Sequence, residues 1–421
     1  MRRALLIALI FIPMAAQAAA FDPETATNAY LATLNGAARA KSDAYFEGGY
    51  WLILWGTLVS ILSDGLILHF GFSRRFRDWA ERVTKRRWLQ PALYTLPYIL
   101  VGTLITLPWT IYTQFIREKQ YDLMNQTLGA WAFDQAKGLG IGLVLTPLMI
   151  MAVFVALRRF PRSWWLWASG GTIFFTIVGA LIAPAFFAPL FNTYSELKPG
   201  PVRDRIVAMA TSRNIPAEHI YVFDASKQTK RVSANVSGLG PTIRISLNDN
   251  LLNRTTLPEQ AAVMGHEMGH YVLGHVNKAI FYFSLIFVLG FWTLYRLTPI
   301  VIVRFGARWG VRGPDDPAAI PIYAILFSLF FLILTPVTNT IVRVQESEAD
   351  AFGLDVSREP DGEALVDLKL GEYRKMDPGP IEEILFYDHP SGRARIRMAM
   401  DWKAAHLAEV ETRNAPAIPQ K

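Results

Sequence analysis

The chain of 421 residues contains no cysteine, so disulfides, thiolate metal ligands and a cysteine nucleophile are all excluded. Charge is also scarce. Only 18% of residues are Asp, Glu, Lys or Arg while 52% are hydrophobic, a balance outside the range of soluble globular domains. Histidine is rare too, with 7 in the whole chain, so any metal has to be held by a few identifiable histidines together with Asp or Glu. No internal repeat and no low-complexity block is found.

Long apolar runs cover Tyr50–Phe70, Pro91–Thr113, Gly138–Leu157, Trp164–Phe191, Ala279–Leu297 and Pro317–Ile341. Each approaches or exceeds the ~20 residues needed to cross the hydrocarbon core, which predicts six membrane helices. Residues 1–20 have a basic start, a short apolar stretch and small residues at Ala16 and Ala18, the pattern of a secretory signal, with an uncleaved anchor as the alternative. The net charge of +7 does not point to nucleic acid, because the basic residues sit beside the spans. Short basic loops stay in the cytoplasm, and segments 71–89, 158–163 and 303–313 can all do so only if residues 192–278 lie outside, on the periplasmic face of an inner membrane.

Between Asn192 and Lys278 the hydropathy falls and a water-soluble unit begins. Val202, Ile206 and Met209 mark a helix in Pro201–Arg213. Ile220–Phe223 reads as a buried strand, Thr242–Leu247 alternates as an edge or half-buried strand does, and Gly238–Pro241 is the turn linking it to the stretch Val232–Ser237. Thr256-Leu257-Pro258-Glu259 is a capping box with proline in the first turn, so a helix starts at Leu257. Helical segments are expected around Gly362–Arg374 and Arg395–Ala408, and a disordered tail at the end.

The helix starting at Leu257 carries His266-Glu267-Met268-Gly269-His270. Histidines four apart stack on one helix face, a spacing that fits two ligands of one Zn²⁺, and Glu267 beside them is placed to act as general base toward water. A catalytic zinc has three protein ligands and an open position, so a third is needed. The candidates are His275, His389 and the acids of Gln345–Asp350. On a continuing helix His275 points off the ligand face, which favours a structural or supporting role. Glu346 and Asp350 are spaced to share a helix face, so that one can bind zinc while the other orients a ligand histidine, and Glu348 falls on the opposite face.

Gly265–His275 and, after an apolar hairpin, Glu346-Ser347-Glu348-Ala349-Asp350-Ala351-Phe352 resemble the zinc peptidase family of the type I CAAX prenyl proteases and the bacterial heat-shock protease HtpX. The former is the closer match, through Leu107–Tyr112, Asn125–Gly129 and the proline-rich stretch Ala183–Asn192, and the likeness spans about residues 50 to 400. The resemblance implies that Glu346 is the third ligand of one zinc ion and Asp350 the acid supporting it. It also implies that His389 and Arg395 flank the reaction centre, with His389 donating to the oxyanion and Arg395 holding it or a substrate carboxylate. Ser233 and Asn235 match a strand that binds an extended peptide, although Ser233 replaces the usual asparagine and Asn235 the usual aromatic residue.

The expected fold is a mainly α membrane protein, six spans enclosing a chamber, with a small α+β zinc-peptidase domain. Residues 45–195 would form a four-span amino-terminal unit and residues 196–412 a peptidase domain interrupted by spans 279–297 and 317–341. The expected activity is zinc-dependent endopeptidase action on polypeptides, membrane-embedded or lipidated ones included. A membrane chaperone with a structural zinc is the alternative.

Overall fold

The computed structural model describes residues 21–237 and 243–414; the amino-terminal segment, the turn at Gly238–Pro241 and the last seven residues lie outside the described residues. Among the described residues, six helices are long and apolar enough to cross a membrane: Gly36–His69, Gln90–Gln120, Leu128–Arg159, Trp164–Leu190, His275–Trp309 and Pro317–Ser357. All but the fourth are longer than the apolar runs. At 1.5 Å per residue the 41-residue sixth helix reaches about 60 Å, twice the ~30 Å hydrocarbon core, so its end projects well beyond the bilayer. The projecting end carries Glu346 and Asp350.

The three basic loops meet at one end of the molecule. Buried Arg77 donates to Asp316 at 2.8 Å and to the Gly310 carbonyl at 2.7 Å, and Arg158 donates to the Asp315 carbonyl at 2.9 Å. Whichever side of the membrane one loop occupies, the other two share it.

A four-stranded sheet builds the polar unit: β1 (Tyr194–Glu196), β2 (Ile220–Phe223), β3 (Ala234–Ser237) and β4 (Arg244–Asn248), in spatial order β1-β2-β4-β3. The β2–β4 pair is parallel and the outer pairs are antiparallel. The alternating segment is therefore not an edge, as its pattern predicted, but an interior strand with both faces covered: Ile245 and Leu247 on one face are fully buried, and Ser246 on the other is 1% exposed. The edge is β3. Ile206 and Met209 from helix Pro201–Ser212 and Met264 and Met268 from the motif helix complete the core beside the sheet.

The motif helix, Leu257–Val272, begins at the predicted box: the Thr256 amide donates to Glu259 at 2.5 Å, and Lys369 holds that buried carboxylate at 2.7 Å. It packs along the end of the sixth span through small residues. A Cβ on Gly265 would lie 2.8 Å from the Gly353 carbonyl oxygen, and one on Gly353 would lie 2.8 Å from the His266 nitrogen, so only glycine permits this backbone approach. Between these two helices the chain makes the hairpin of the fifth and sixth spans. The later polar helices run Pro360–Leu370, Pro380–Phe386 and Gly392–Ala405.

Candidate active site

The close helix crossing brings three ligand-type side chains together. The Nε2 atoms of His266 and His270 are 3.0 Å apart, and Glu346 oxygens lie 3.2 Å from the first and 3.5 Å from the second. This trio is the cluster among the described residues that can hold a metal ion.

Outer partners fix the proton on each imidazole. Asp350 accepts from His266 Nδ1 at 2.7 Å, which puts a proton on Nδ1 and leaves Nε2 as the nitrogen that would bind a metal. For His270 the chain of hydrogen bonds is longer. Lys278 holds Glu348 at 2.5 Å, and Glu348 accepts from His275 Nε2 at 3.0 Å. His275 Nδ1 is then an acceptor, and 2.9 Å away it faces His270 Nδ1, which must donate. His270 Nε2 is thus a lone pair. With a metal ion bound, two imidazole lone pairs and a carboxylate would converge on it; without one, burial opposes a charge on His266 but Asp350 and Glu346 raise its pKa well above the ordinary value, so that its Nε2 can share a proton with Glu346. Without that proton, such a donor set repels itself unless a metal cation sits within it, and two imidazoles with one carboxylate suit Zn²⁺.

The role of Glu348 corrects the expectation that it points away from the site. Gly274, at φ 65°, ends the motif helix, and His275 starts a new one; the break turns His275 back onto His270, which a continuous helix would not allow. Replacing His275 with leucine is expected to lower zinc affinity about 10- to 100-fold, while His275→Gln, whose amide oxygen can still accept from His270, retains most of it. Competition with a chelator measures both.

Glu267 is partly buried and accepts no hydrogen bond from any described residue. Burial pushes its carboxyl up from the ordinary value, against the pull of His266 and His270. It is an unengaged proton acceptor next to the cluster. His389 stands on the open side, its Nε2 3.3 Å from Glu346 Oε2 and its Nδ1 2.8 Å from Asp388, so an N–H on either nitrogen has an acceptor facing it.

Arg395 is elsewhere. Its guanidinium donates to Asp350 at 2.6 and 2.9 Å and to Glu363 at 3.1 Å, and pairs with Asp367 at 2.8 Å, leaving the side chain 7% exposed. Its donors are consumed behind His266, so it does not hold His389 or a substrate carboxylate and acts on the site only through Asp350. Burial raises the carboxyl of Glu363 and, far more, that of Asp367, so the guanidinium does not face three full negative charges. Sequence reasoning missed these two acids, although their i, i+4 spacing on one helix was a signal. Ser233, just before β3, and Asn235, on it, are exposed, and the motif helix packs against this strand.

Residues 25–193 match the family described as CAAX prenyl protease N-terminal, five membrane helices, and residues 196–403 match Peptidase family M48. An uncharacterized metalloprotease, YhfN, of Bacillus subtilis is 30% identical over 86% of this chain and 85% of its own. The CAAX prenyl protease 1 homolog of Arabidopsis thaliana is 28% identical over 85% of this chain and 86% of its own. The crystal structure of S. mikatae Ste24p superposes with a TM-score of 0.72 at 21% identity, covering 90% of this chain and 94% of that one, which shows a shared fold. With a metal-ready His-His-Glu cluster beside a free glutamate, and these matches over nearly its whole length, the chain is a multi-pass membrane metalloendopeptidase belonging to peptidase family M48, the zinc-dependent family of the CAAX prenyl proteases.

Proposed function

We propose that His266, His270 and Glu346 hold one catalytic zinc ion and that the enzyme hydrolyses internal peptide bonds of membrane and envelope polypeptides, damaged or misfolded ones above all. The observation that carries this reading is the convergence of His266, His270 and Glu346 ligand atoms within 4.8 Å of one another, with outer partners on both imidazole Nδ1 atoms, beside the unengaged Glu267 carboxylate. Zinc bound there supplies Lewis acidity toward water and the peptide carbonyl. Glu267 takes the proton of the attacking water, its raised pKa bringing it closer to the working pH of a general base. His389 donates its Nε2–H to the oxygen that becomes negative as the carbonyl carbon turns tetrahedral. Asp350, anchored by Arg395, keeps the His266 ring in the ligating tautomer. The substrate lies extended along the free edge of β3, next to Ser233 and Asn235.

Casein hydrolysis by the purified protein, abolished by a chelator and restored by zinc, is the expected result. Tight zinc binding with no hydrolysis of any polypeptide would instead make it a scaffold with a structural metal. The clustering of the three basic loops supports a periplasmic zinc site, because that end then faces the cytoplasm. A phosphatase reporter fused after Asn248 should be active in the periplasm; activity of a cytoplasm-only reporter at the same position reverses the orientation.

A further inference from the structure

At the end of the molecule where the three basic loops meet, a pocket of about 380 Å³ opens among the third, fourth, fifth and sixth spans. It is remote from the metal cluster: Thr298, on its wall, and His275 sit on one helix, about 35 Å apart along its axis. The wall carries Arg87, Arg158 and a single carboxylate, Asp315, which Arg87 meets at 3.4 Å. The next acid along, Asp316, belongs to Arg77 at 2.8 Å.

Arg158 is left without an anion. Half-buried, it donates to the Asp315 carbonyl at 2.9 and 3.3 Å and to the Arg87 carbonyl, and no carboxylate among the described residues pairs with it. Three of its five N–H groups are so used, and two stay open. Thr298 is a second polar group in need of a partner, since it is 1% exposed and its buried hydroxyl makes no hydrogen bond. Two guanidinium groups against one carboxylate, with an unpartnered hydroxyl beside them, make a seat for an oxyanion of the phosphate type.

The floor of the pocket separates a lipid from a free anion. Trp164, Leu294 and Tyr323 also line a second cavity, of about 220 Å³, whose other walls are nearly all apolar, Val153, Phe291 and Phe327 among them. These last three lie one or two turns deeper in the bilayer than Arg158, Thr298 and Tyr323 on the same helices. The adjoining cavities are thus polar at the level of the loops and apolar below, with Trp164, Tyr295 and Tyr323 at the depth where aromatic side chains meet headgroups.

We propose that the two cavities bind one anionic phospholipid, its phosphate between Arg158, Arg87 and the Thr298 hydroxyl and an acyl chain in the inner cavity, so that the lipid ties the basic loops together. Lipid touches a membrane protein on every side, but the unpaired guanidinium and the orphaned hydroxyl single out this place.

The full-length protein in detergent, titrated with dioleoylphosphatidylglycerol or dioleoylphosphatidylcholine and followed by native mass spectrometry, tests it. One phosphatidylglycerol should be held about tenfold more tightly than phosphatidylcholine, the scale set by basic residues at a headgroup. Arg158→Gln should erase that preference, and Ala324→Phe, which fills the inner cavity, should weaken both lipids. Thr298→Val removes a hydroxyl that has no protein partner, so its expected loss of about threefold is read without disturbing the fold. Inorganic phosphate in large excess should not displace the lipid. Equal retention of both lipids by the wild type overturns the charged seat, and displacement by phosphate makes it a site for a free anion. Unchanged binding in all three variants puts the lipid elsewhere on the surface and overturns the site.

Discussion

Glu267→Gln is expected to keep its zinc and to lose peptide hydrolysis by about 10²- to 10⁴-fold, the range that a positioned general base contributes. The substitution is nearly isosteric, and Glu267 accepts no hydrogen bond from any described residue, so the fold loses no contact. The three atoms that converge for the metal belong to other residues, and the two outer chains that fix the imidazole protons do not pass through Glu267. Only the ability to accept a proton disappears. Metal analysis of the purified variant alongside kcat/KM on a fluorogenic peptide reads both halves of the expectation. A variant that retains zinc and cuts at nearly the wild-type rate would remove Glu267 from the mechanism.

Arg395→Met should be the most destabilising single change near the site, by about 3–5 kcal/mol, because it strips the partner from buried carboxylates without removing them. Asp350, at 2% exposure, loses two hydrogen bonds, and Glu363 and Asp367 lose the cation that offsets their burial. With Asp350 no longer anchored, the His266 ring loses its fixed tautomer, and zinc affinity falls together with stability. Thermal unfolding in detergent and chelator competition measure the pair of effects. If Arg395 instead contacted substrate, the variant would unfold normally, hold zinc normally and show only a raised KM.

The contrast between these two residues shows what could be read before the structure. Motif spacing and one capping box placed Glu267 and the two histidines on a helix that begins at Leu257, and the apolar runs located all six long helices, because both signals are local. The surroundings of Arg395 are not local: its three acids come from two helices, 28 to 45 positions earlier in the chain. For His275 the supporting role was legible, but the direction of its ring was not. A helical wheel carried across Gly274 assumes a continuous helix, whereas the left-handed backbone at that glycine turns the ring back. The interior placement of the β4 segment was hidden because alternation reports residue type, while Ser246 is covered in spite of being polar.

The active site is closed by helix ends that flank the hairpin of the fifth and sixth spans, with His266 and His270 before it and Glu346 and Asp350 after it. During synthesis the two histidines are therefore complete 76 positions before Glu346 is added. Until both spans have entered the bilayer and the chain has returned, no arrangement of the emerged segment can cut a peptide. If His266, His270 and Glu346 hold the metal, biogenesis itself is the safety catch: a half-inserted molecule lacks a complete cradle, and competence waits until Gly353 packs against His266.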